Sequence, residues 1–368
     1  MPNPPEVTLE KYIDSPENRI ILLDYYTQVY SKIPKMANEN RFEWQTFLNP
    51  LEENEERPLI WLLRSCSGKL CGHNSLLKFE LRIDNRKYSG YCSTNLLVNP
   101  GTEGKGLGHV LIENNEKMDG VAFAVGITEM ASRAFQKRGW VLINDSSQQS
   151  LVLNPMAVFG FLNKSKMLAY IASPFIILIN AAFRVYKKIF IPRSISDISF
   201  SQINEFLPDW DNYWREYLKD YAIHFDRNSS FLNYKYFKRE DIKHTVYLFE
   251  NQNRPIGYIV FRKSVNVDKK IVLGRIVDFV YDPTISKKLL SYMIKIASDE
   301  LRKLQVDCIV GIASSPATKT AFWQNGFIFS RIQPAIIRET DFKIKDLRQR
   351  YSHIWYISLG DSDLDNYW

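Results

Sequence analysis

The chain has 368 residues, 45% hydrophobic and 24% charged, with a formal charge of +7. That length exceeds one ordinary domain and suits two, and the apolar share supports sizeable cores. The modest positive charge favours anionic small molecules or an anionic membrane surface; no zinc spacing, recognition-helix signature or RNA-binding aromatic motif accompanies it, so a nucleic-acid partner is not expected. Four cysteines (Cys66, Cys71, Cys92, Cys308) without framework spacing suggest reduced thiols and a cytoplasmic location. Met1-Pro2-Asn3-Pro4-Pro5 does not open like a signal peptide.

Ser15-Pro16-Glu17 predicts a helix start, and Ile20, Leu22, Leu23, Tyr26, Val29 and Tyr30 continue an apolar stripe at helical spacing. A second short helix is expected over 42–48. Strands are expected at 59–66 and 69–83, joined by a turn at Ser67-Gly68, and Asp84-Asn85 turns the chain into a third strand over 87–98. That strand ends at Asn99-Pro100. Glycines follow at 101, 104, 106 and 108, and Val110, Leu111 and Ile112 open a helix. A strand, a glycine turn and a helix in that order build an anion site: glycine lets the backbone approach closely, and the helix N-terminus offers unpaired N–H groups. The Walker pattern fails because Gly106 follows Lys105, and the dinucleotide fingerprint fails because positions 104–108 read G-x-G-x-G.

The turn resembles the acetyl-CoA loop of the GNAT acyltransferases, with Gly106 and Gly108 in the two glycine places of [QR]-x-x-G-x-G/A. Glu103 stands where that family usually has Gln or Arg. A second likeness lies at 121–140, where a short strand leads into Ala131, Ala134 and Phe135 and then Arg138-Gly139-Trp140. It resembles the family's N-x-x-A-x-x-x-Y-x-x-x-G-F segment, with Phe135 in the place of a Tyr that often acts as general acid. The strand at 149–153 is expected to close this first unit.

Between the halves, 167–191 is long and apolar but interrupted by Ser173-Pro174 and Asn180, and Arg184, Lys187, Lys188 and Arg193 crowd its end. Three readings stay open: a helix buried between domains, a helix lying in a membrane interface, and a span. Beyond it, Trp210, Trp214 and Tyr217 stand at helical spacing and 231–236 is an aromatic run. Strands are expected at 246–250, 256–263, 273–281 and 308–311, with a helix over 289–304. Positions 317–327, ATKTAFWQNGF, match MASRAFQKRGW of the first half, so Phe322 corresponds to Phe135 and Gly326 to Gly139. This is an internal repeat of a whole fold. The second half carries no glycine over 282–288, so one CoA per chain is expected, bound in the first half.

The resemblance therefore implies an α/β (α+β) chain of two tandem GNAT-like domains, each a mixed, mostly antiparallel sheet flanked by helices. The first spans 1–155, an apolar and basic connecting segment 156–194, and the second 195–368. Acetyl-CoA is the implied cosubstrate. The N–H groups of Leu97 and Val98 would face the acyl carbonyl, and Glu103, Gly104, Lys105, Gly106, Leu107, Gly108 and His109 would line the pyrophosphate. An attacking amine arrives protonated and needs a base; the strand candidates are His73, Glu80, Tyr91 and Ser93. Asp278, flanked by Ile276, Val277 and Phe279, would line a pocket or form a structural pair. Asp361, Asp363 and Asp365 alternate without the rest of a calcium loop and read as an acidic turn. The expected activity is transfer of acetyl to an amine, such as an amino sugar of a surface polysaccharide in the bacterial tandem members that 231–236 and 355–365 resemble. A Fem-type aminoacyl transferase and a non-catalytic CoA-binding scaffold are the alternatives. Peripheral membrane contact through 167–193, at the inner face, goes with the interfacial reading.

Overall fold

The computed structural model describes residues 7–30, 37–52, 57–99, 105–286 and 288–361. The first half runs β1 (Val7–Lys11), α1 (Pro16–Val29), α2 (Glu39–Thr46), β2 (Ile60–Ser65), β3 (Leu70–Ile83), β4 (Arg86–Val98), α3 (Leu107–Asn115), β5 (Val121–Val125), α4 (Glu129–Gln136), β6 (Val141–Ile143) and β7 (Ser147–Val152). Two helices, α5 (Pro155–Phe161) and α6 (Lys166–Phe190), lead to the second half. That half runs β8 (Ile198–Ile203), α7 (Trp214–Tyr217), β9 (Tyr221–Phe225), α8 (Ser229–Tyr236), β10 (Thr245–Asn251), β11 (Arg254–Asn266), β12 (Ile271–Tyr281), α9 (Leu289–Lys303), β13 (Cys308–Ala313), α10 (Pro316–Gln324), β14 (Phe329–Ile332), β15 (Ala335–Ile337), α11 (Ile344–Arg350) and β16 (His353–Trp355).

These strands form two mixed sheets flanked by helices. The first has the order β1-β2-β3-β4-β5-β15-β6, with β9 added beside β3 and β16 beside β9; the second has the order β14-β7-β13-β12-β11-β10-β8. Strand for strand, β8 and β10–β14 repeat β1–β6. The last strand of each unit is exchanged. β15 pairs with β5 and β6, and β7 pairs with β13 and β14. The strand expected to close the first unit therefore lies in the second sheet. The exchange, together with β9 against β3, makes one continuous core of both halves: Phe79 and Phe123 share a cluster with Phe225, Trp355, Cys308 and Val310.

The internal repeat is reproduced in detail. Phe135 lies 4.5 Å from Trp140, and Phe322 lies 4.9 Å from Phe327, ring to ring. Gly139 (φ +82°) and Gly326 (φ +88°) both sit in the left-handed region that ends a helix. Phe135 and Phe322 are fully buried, which fits phenylalanine better than a tyrosine whose hydroxyl would need a partner.

Two further segments are now placed. The aromatic run at 231–236 forms α8, where Tyr234 stacks on Trp44 at 5.0 Å and joins the halves. The reading of 167–191 as a helix buried between domains fails: of the most apolar 18 residues of α6, only 17% are buried. All four cysteines are free thiols; Cys92 and Cys308 are buried, but Cys66 is exposed.

Candidate active site

β4 governs the site. It pairs with β3 along its length, but its parallel pairing with β5 covers only Gly90, Tyr91 and Cys92 against Val121, Ala122 and Phe123. From Ser93 to Val98, β4 has no register with β5, so the two strands part and leave an edge with no strand partner among the described residues. On its other edge the register slips between His73 and Ser75: three residues of β3, His73 to Ser75, are matched by four of β4, Thr94 to Leu97. Asn95 takes φ +54° inside this bulge. Bulges redirect side chains and end pairing beside functional sites, and Asn tolerates the left-handed region better than most residues.

The helices α1 and α2 hold the bulge from one face. Tyr25 Oη donates to Asn99 Oδ1 at 2.5 Å, and Tyr30 Oη to the Asn95 carbonyl at 3.2 Å. The Arg41 guanidinium reaches Asn95 Oδ1 at 3.4 Å, and Gln45 Nε2 donates to Thr94 Oγ1 at 3.0 Å. These residues were not singled out from sequence. The one visible signal was Asn95, a turn-forming residue inside an otherwise strand-like run. The opposite face carries a chain of neutral polar groups. Ser93 Oγ donates to Asn74 Oδ1 at 2.9 Å, and Asn74 Nδ2 donates to Asn115 Oδ1 at 2.6 Å.

The two amides expected to face an acyl carbonyl are not equivalent. Asn99 N–H donates to the Cys71 carbonyl at 2.9 Å. Hydrogen-bonded and open pairs alternate in an antiparallel ladder, so Leu97, opposite His73, turns its N–H to β3. Val98, opposite Gly72, turns its N–H to the open edge.

Beyond Val98, Glu103 and Gly104 lie outside the described residues. Lys105 is exposed. Gly106 is the N-cap of α3 at φ +80° and supplies no side-chain acceptor to the first turn. No acidic residue occupies the first turn of α3, so its positive end is left for an external anion. α6 and α9, the second-half counterpart of α3, likewise lack a side-chain cap and a first-turn acid; what sets α3 apart is glycine at its cap and in its first turn. A Cβ built at Gly108 meets nothing within 4 Å, so the backbone there faces open space. Leu107 buries its side chain against Leu63 and Leu111, anchoring the turn, and His109 N–H closes back on the Gly106 carbonyl at 3.0 Å.

The proposed proton acceptors are not brought together. His73 is fully buried under α1, with ring centroids 4.8 to 5.7 Å from Tyr26, Tyr25 and Tyr30. Its Nε2 lies 3.1 Å from Tyr30 Oη, and its Nδ1 has no partner among the described residues. Burial pushes its pKa down to about 3, so it is neutral at physiological pH. Because Tyr30 donates to Asn95, the consistent arrangement has His73 Nε2–H donating to Tyr30. Glu80 stands seven residues further along β3, roughly 23 Å away, on the opposite face by strand alternation. Its carboxylate pairs with Lys87 at 2.5 Å and its carbonyl accepts from Asp226 N–H at 2.8 Å. Tyr91 sits within the paired part of β4, buried with Leu59 and Leu76, its ring 5.8 Å from the Lys78 ammonium. Ser93 is the first β4 residue beyond the pairing with β5, which makes it the hydroxyl at the mouth of the opening.

The second half repeats the opening and closes it. β12 pairs with β13 only over Leu273–Arg275, and its register against β11 slips beside Val277. The chain's own terminal segment fills this place. Arg227 binds Asp278 at 3.2 Å and Asp361 at 2.6 Å; Tyr258 and Tyr236 donate to Asp278 at 2.7 and 3.0 Å. Tyr356 donates to the Phe279 carbonyl. Burial opposes ionisation at Asp278, but the Arg227 and Lys235 charges overcome it and hold the carboxyl below its ordinary range. Asp278 is thus a structural partner rather than a pocket residue. Asp361 belongs to the same cluster, while Asp363 and Asp365 lie outside the described residues. The turn that begins at Asp282 is held by that carboxylate accepting from Thr284 N–H at 2.9 Å and Oγ1 at 2.6 Å, and the sequence over 282–288 has no glycine.

No family model and no curated protein matches the chain by sequence. Solved structures do match by shape. A GCN5-related N-acetyltransferase from Anabaena variabilis superposes with a TM-score of 0.53 at 14% identity, covering 90% of this chain and 72% of its own. N-myristoyltransferase from Saccharomyces cerevisiae, solved with bound myristoyl-CoA, superposes with a TM-score of 0.57 at 11% identity, covering 90% and 82%. At these identities the likeness shows the fold alone: two tandem GNAT-like units.

Proposed function

We propose that the chain is an acyl-CoA-dependent N-acyltransferase that holds one CoA thioester in its first half. The observation that carries this reading is the edge of β4 left without a strand partner among the described residues, followed in sequence by the α3 N-terminus, where Gly106 and Gly108 leave the backbone open to approach. An extended pantetheine chain would continue the β4 ladder as a strand does. The N–H groups at the start of α3 would take the pyrophosphate, with open space at Gly108 for its approach. Lys105 would add charge to a phosphate. CoA supplies the acyl group as an activated thioester. Val98 N–H would orient the ligand along β4, while Leu97 N–H holds β4 to β3. Ser93 Oγ, its hydrogen committed to Asn74, keeps lone pairs with which to accept from an amine N–H. His73, neutral and buried, fixes the bulge through Tyr30 and Asn95, and the amine's proton leaves to water.

Acetyl is the acyl group proposed and an amine the acceptor, with amino sugars the first class to try. The 231–236 and Trp355–Asp361 segments, whose likeness suggested a polysaccharide substrate, are used in packing α8 and in closing the second half. The acceptor therefore has to be read from the reaction. Release of free CoA thiol is measured with acetyl-, longer acyl- and no acyl-CoA over a panel of amines and amino sugars. Acyl-dependent release that Gly108→Val abolishes is expected. CoA binding without release from any amine would leave a binding protein, and binding of aminoacyl-tRNA in place of CoA would point to aminoacyl transfer.

A further inference from the structure

The helix α6 is built inside out for a helix in water. The side it turns to the protein is marked by Ala169, Ile176, Asn180 and Lys187, two of them polar. Asn180 Nδ2 donates to the Val152 carbonyl at 2.7 Å, and the Lys187 ammonium lies 3.9 Å from Asp299. The side it turns outward carries Met167 (71% exposed), Tyr170 (68%), Phe175 (64%), Leu178 (69%), Val185 (58%) and Ile189 (68%). Trp323, half-exposed, extends this surface and packs its ring on Phe183 at 5.5 Å. A contiguous apolar face of this size on a soluble monomer marks an interaction surface.

The charge beside it selects the partner. From residue 146 to residue 196 the sequence has six basic residues (Lys164, Lys166, Arg184, Lys187, Lys188, Arg193) and no acidic one. Five of these are exposed, while Lys187 faces Asp299 on the protein side. A second copy of this face would bring positive charge against positive charge. Anionic headgroups would complement it.

The topology decides how α6 would meet the lipid. β7 precedes the helix and β8 follows it, and both are strands of the second sheet. A helix of 25 residues is about 37 Å long, so a span would put two strands of one sheet on opposite sides of a bilayer. The helix also rests on the protein through Val152 near its middle and Asp299 near its end.

We infer that α6 docks the protein onto an anionic membrane, lying in the plane of the interface with its outward face among the acyl chains and its exposed basic residues, Arg184 and Lys188, at the headgroups. This stands apart from the acyl-transfer reading, because no residue of the glycine turn takes part. The test is flotation of the full chain with phosphatidylcholine vesicles and with vesicles that also contain phosphatidylserine. The wild type is expected to float with the anionic vesicles at low salt and to be released by high salt or alkaline carbonate. F175E/L178E should stay in the dense fraction while unfolding at the wild-type temperature, since both positions are exposed. Neutralising Arg184 or Lys188 should lower partitioning roughly fivefold each. Three results would overturn the inference: a wild type that floats with neither vesicle, flotation unchanged in F175E/L178E, or a stable dimer in solution that this variant dissociates. Retention after alkaline carbonate would indicate a span and overturn it as well.

Discussion

Gly106 and Gly108 stand two residues apart and are glycine for different reasons. Gly106 sits at φ +80°, where a side chain costs about 1–2 kcal/mol. Gly108 is in the first turn of α3, and its missing side chain matters only to what approaches from outside. Gly106→Val should therefore lower both stability and CoA affinity. Gly108→Val should leave stability within about 0.5 kcal/mol and still abolish CoA binding. Urea unfolding beside a binding titration separates the two. A Gly108→Val protein that binds CoA at wild-type affinity would remove this turn from the site. His73 and His224 make a different prediction. Burial depresses both pKa values to about 3, so the unfolded chain takes up protons that the folded one refuses as pH falls below the ordinary value of 6.5. Stability is retained above that pH and lost toward the folded value, by about 1.4 kcal/mol per pH unit for each ring. Unfolding free energies between about pH 6.5 and pH 5 should show this slope, and His224→Gln should halve it. An unchanged slope would mean that the rings are protonated in place. By the same argument His73 should leave no ionisation in the pH–rate profile near neutrality.

The exchange of β7 and β15 binds the halves together more firmly than a linker does. Cleavage of the exposed turn after α5, at Asn163-Lys164, should leave two fragments that co-elute without denaturant, because each closes the other's sheet. Separation of the fragments on a sizing column would show that the exchanged strands contribute little. The exchange was not legible in the sequence. The strand at 149–153 was expected in the first sheet and Ala335-Ile336-Ile337 was not read as a strand; runs of three to six residues carry no mark of which sheet they join. What was legible had local causes: the β3–β4 hairpin with its Asp84-Asn85 turn, the glycine-to-α3 junction, and the paired helix endings at Gly139 and Gly326. β1 is short and has no fully buried residue, and it was missed. The bulge at Asn95 and its supports from Tyr30, Arg41 and Gln45 depend on tertiary contacts that no periodicity encodes. Glu80 looked available as a strand carboxylate, but a lysine on the adjoining strand occupies it. α6 was legible as an apolar helix; which face it covers was not, because periodicity shows the stripe but not what lies over it.

The two halves share one fold and divide its uses. The first keeps the opening between β4 and β5 free on one edge, while the second fills the same opening with Arg227, Asp278, Asp361 and the tyrosines around them. This cluster should carry stability alone. Arg227→Ala leaves two buried carboxylates without their main counter-charge and should cost about 3–5 kcal/mol, with CoA affinity unchanged in the protein that remains folded; a selective loss of CoA binding without loss of stability would place the cluster in the site instead. The division of labour is most directly tested by the stoichiometry of CoA binding, measured by calorimetric titration of the full chain with acetyl-CoA. One equivalent per chain is predicted, abolished by Gly108→Val and untouched by a bulky substitution at Ser286. Two equivalents, or one that survives Gly108→Val and is lost at Ser286, would contradict it.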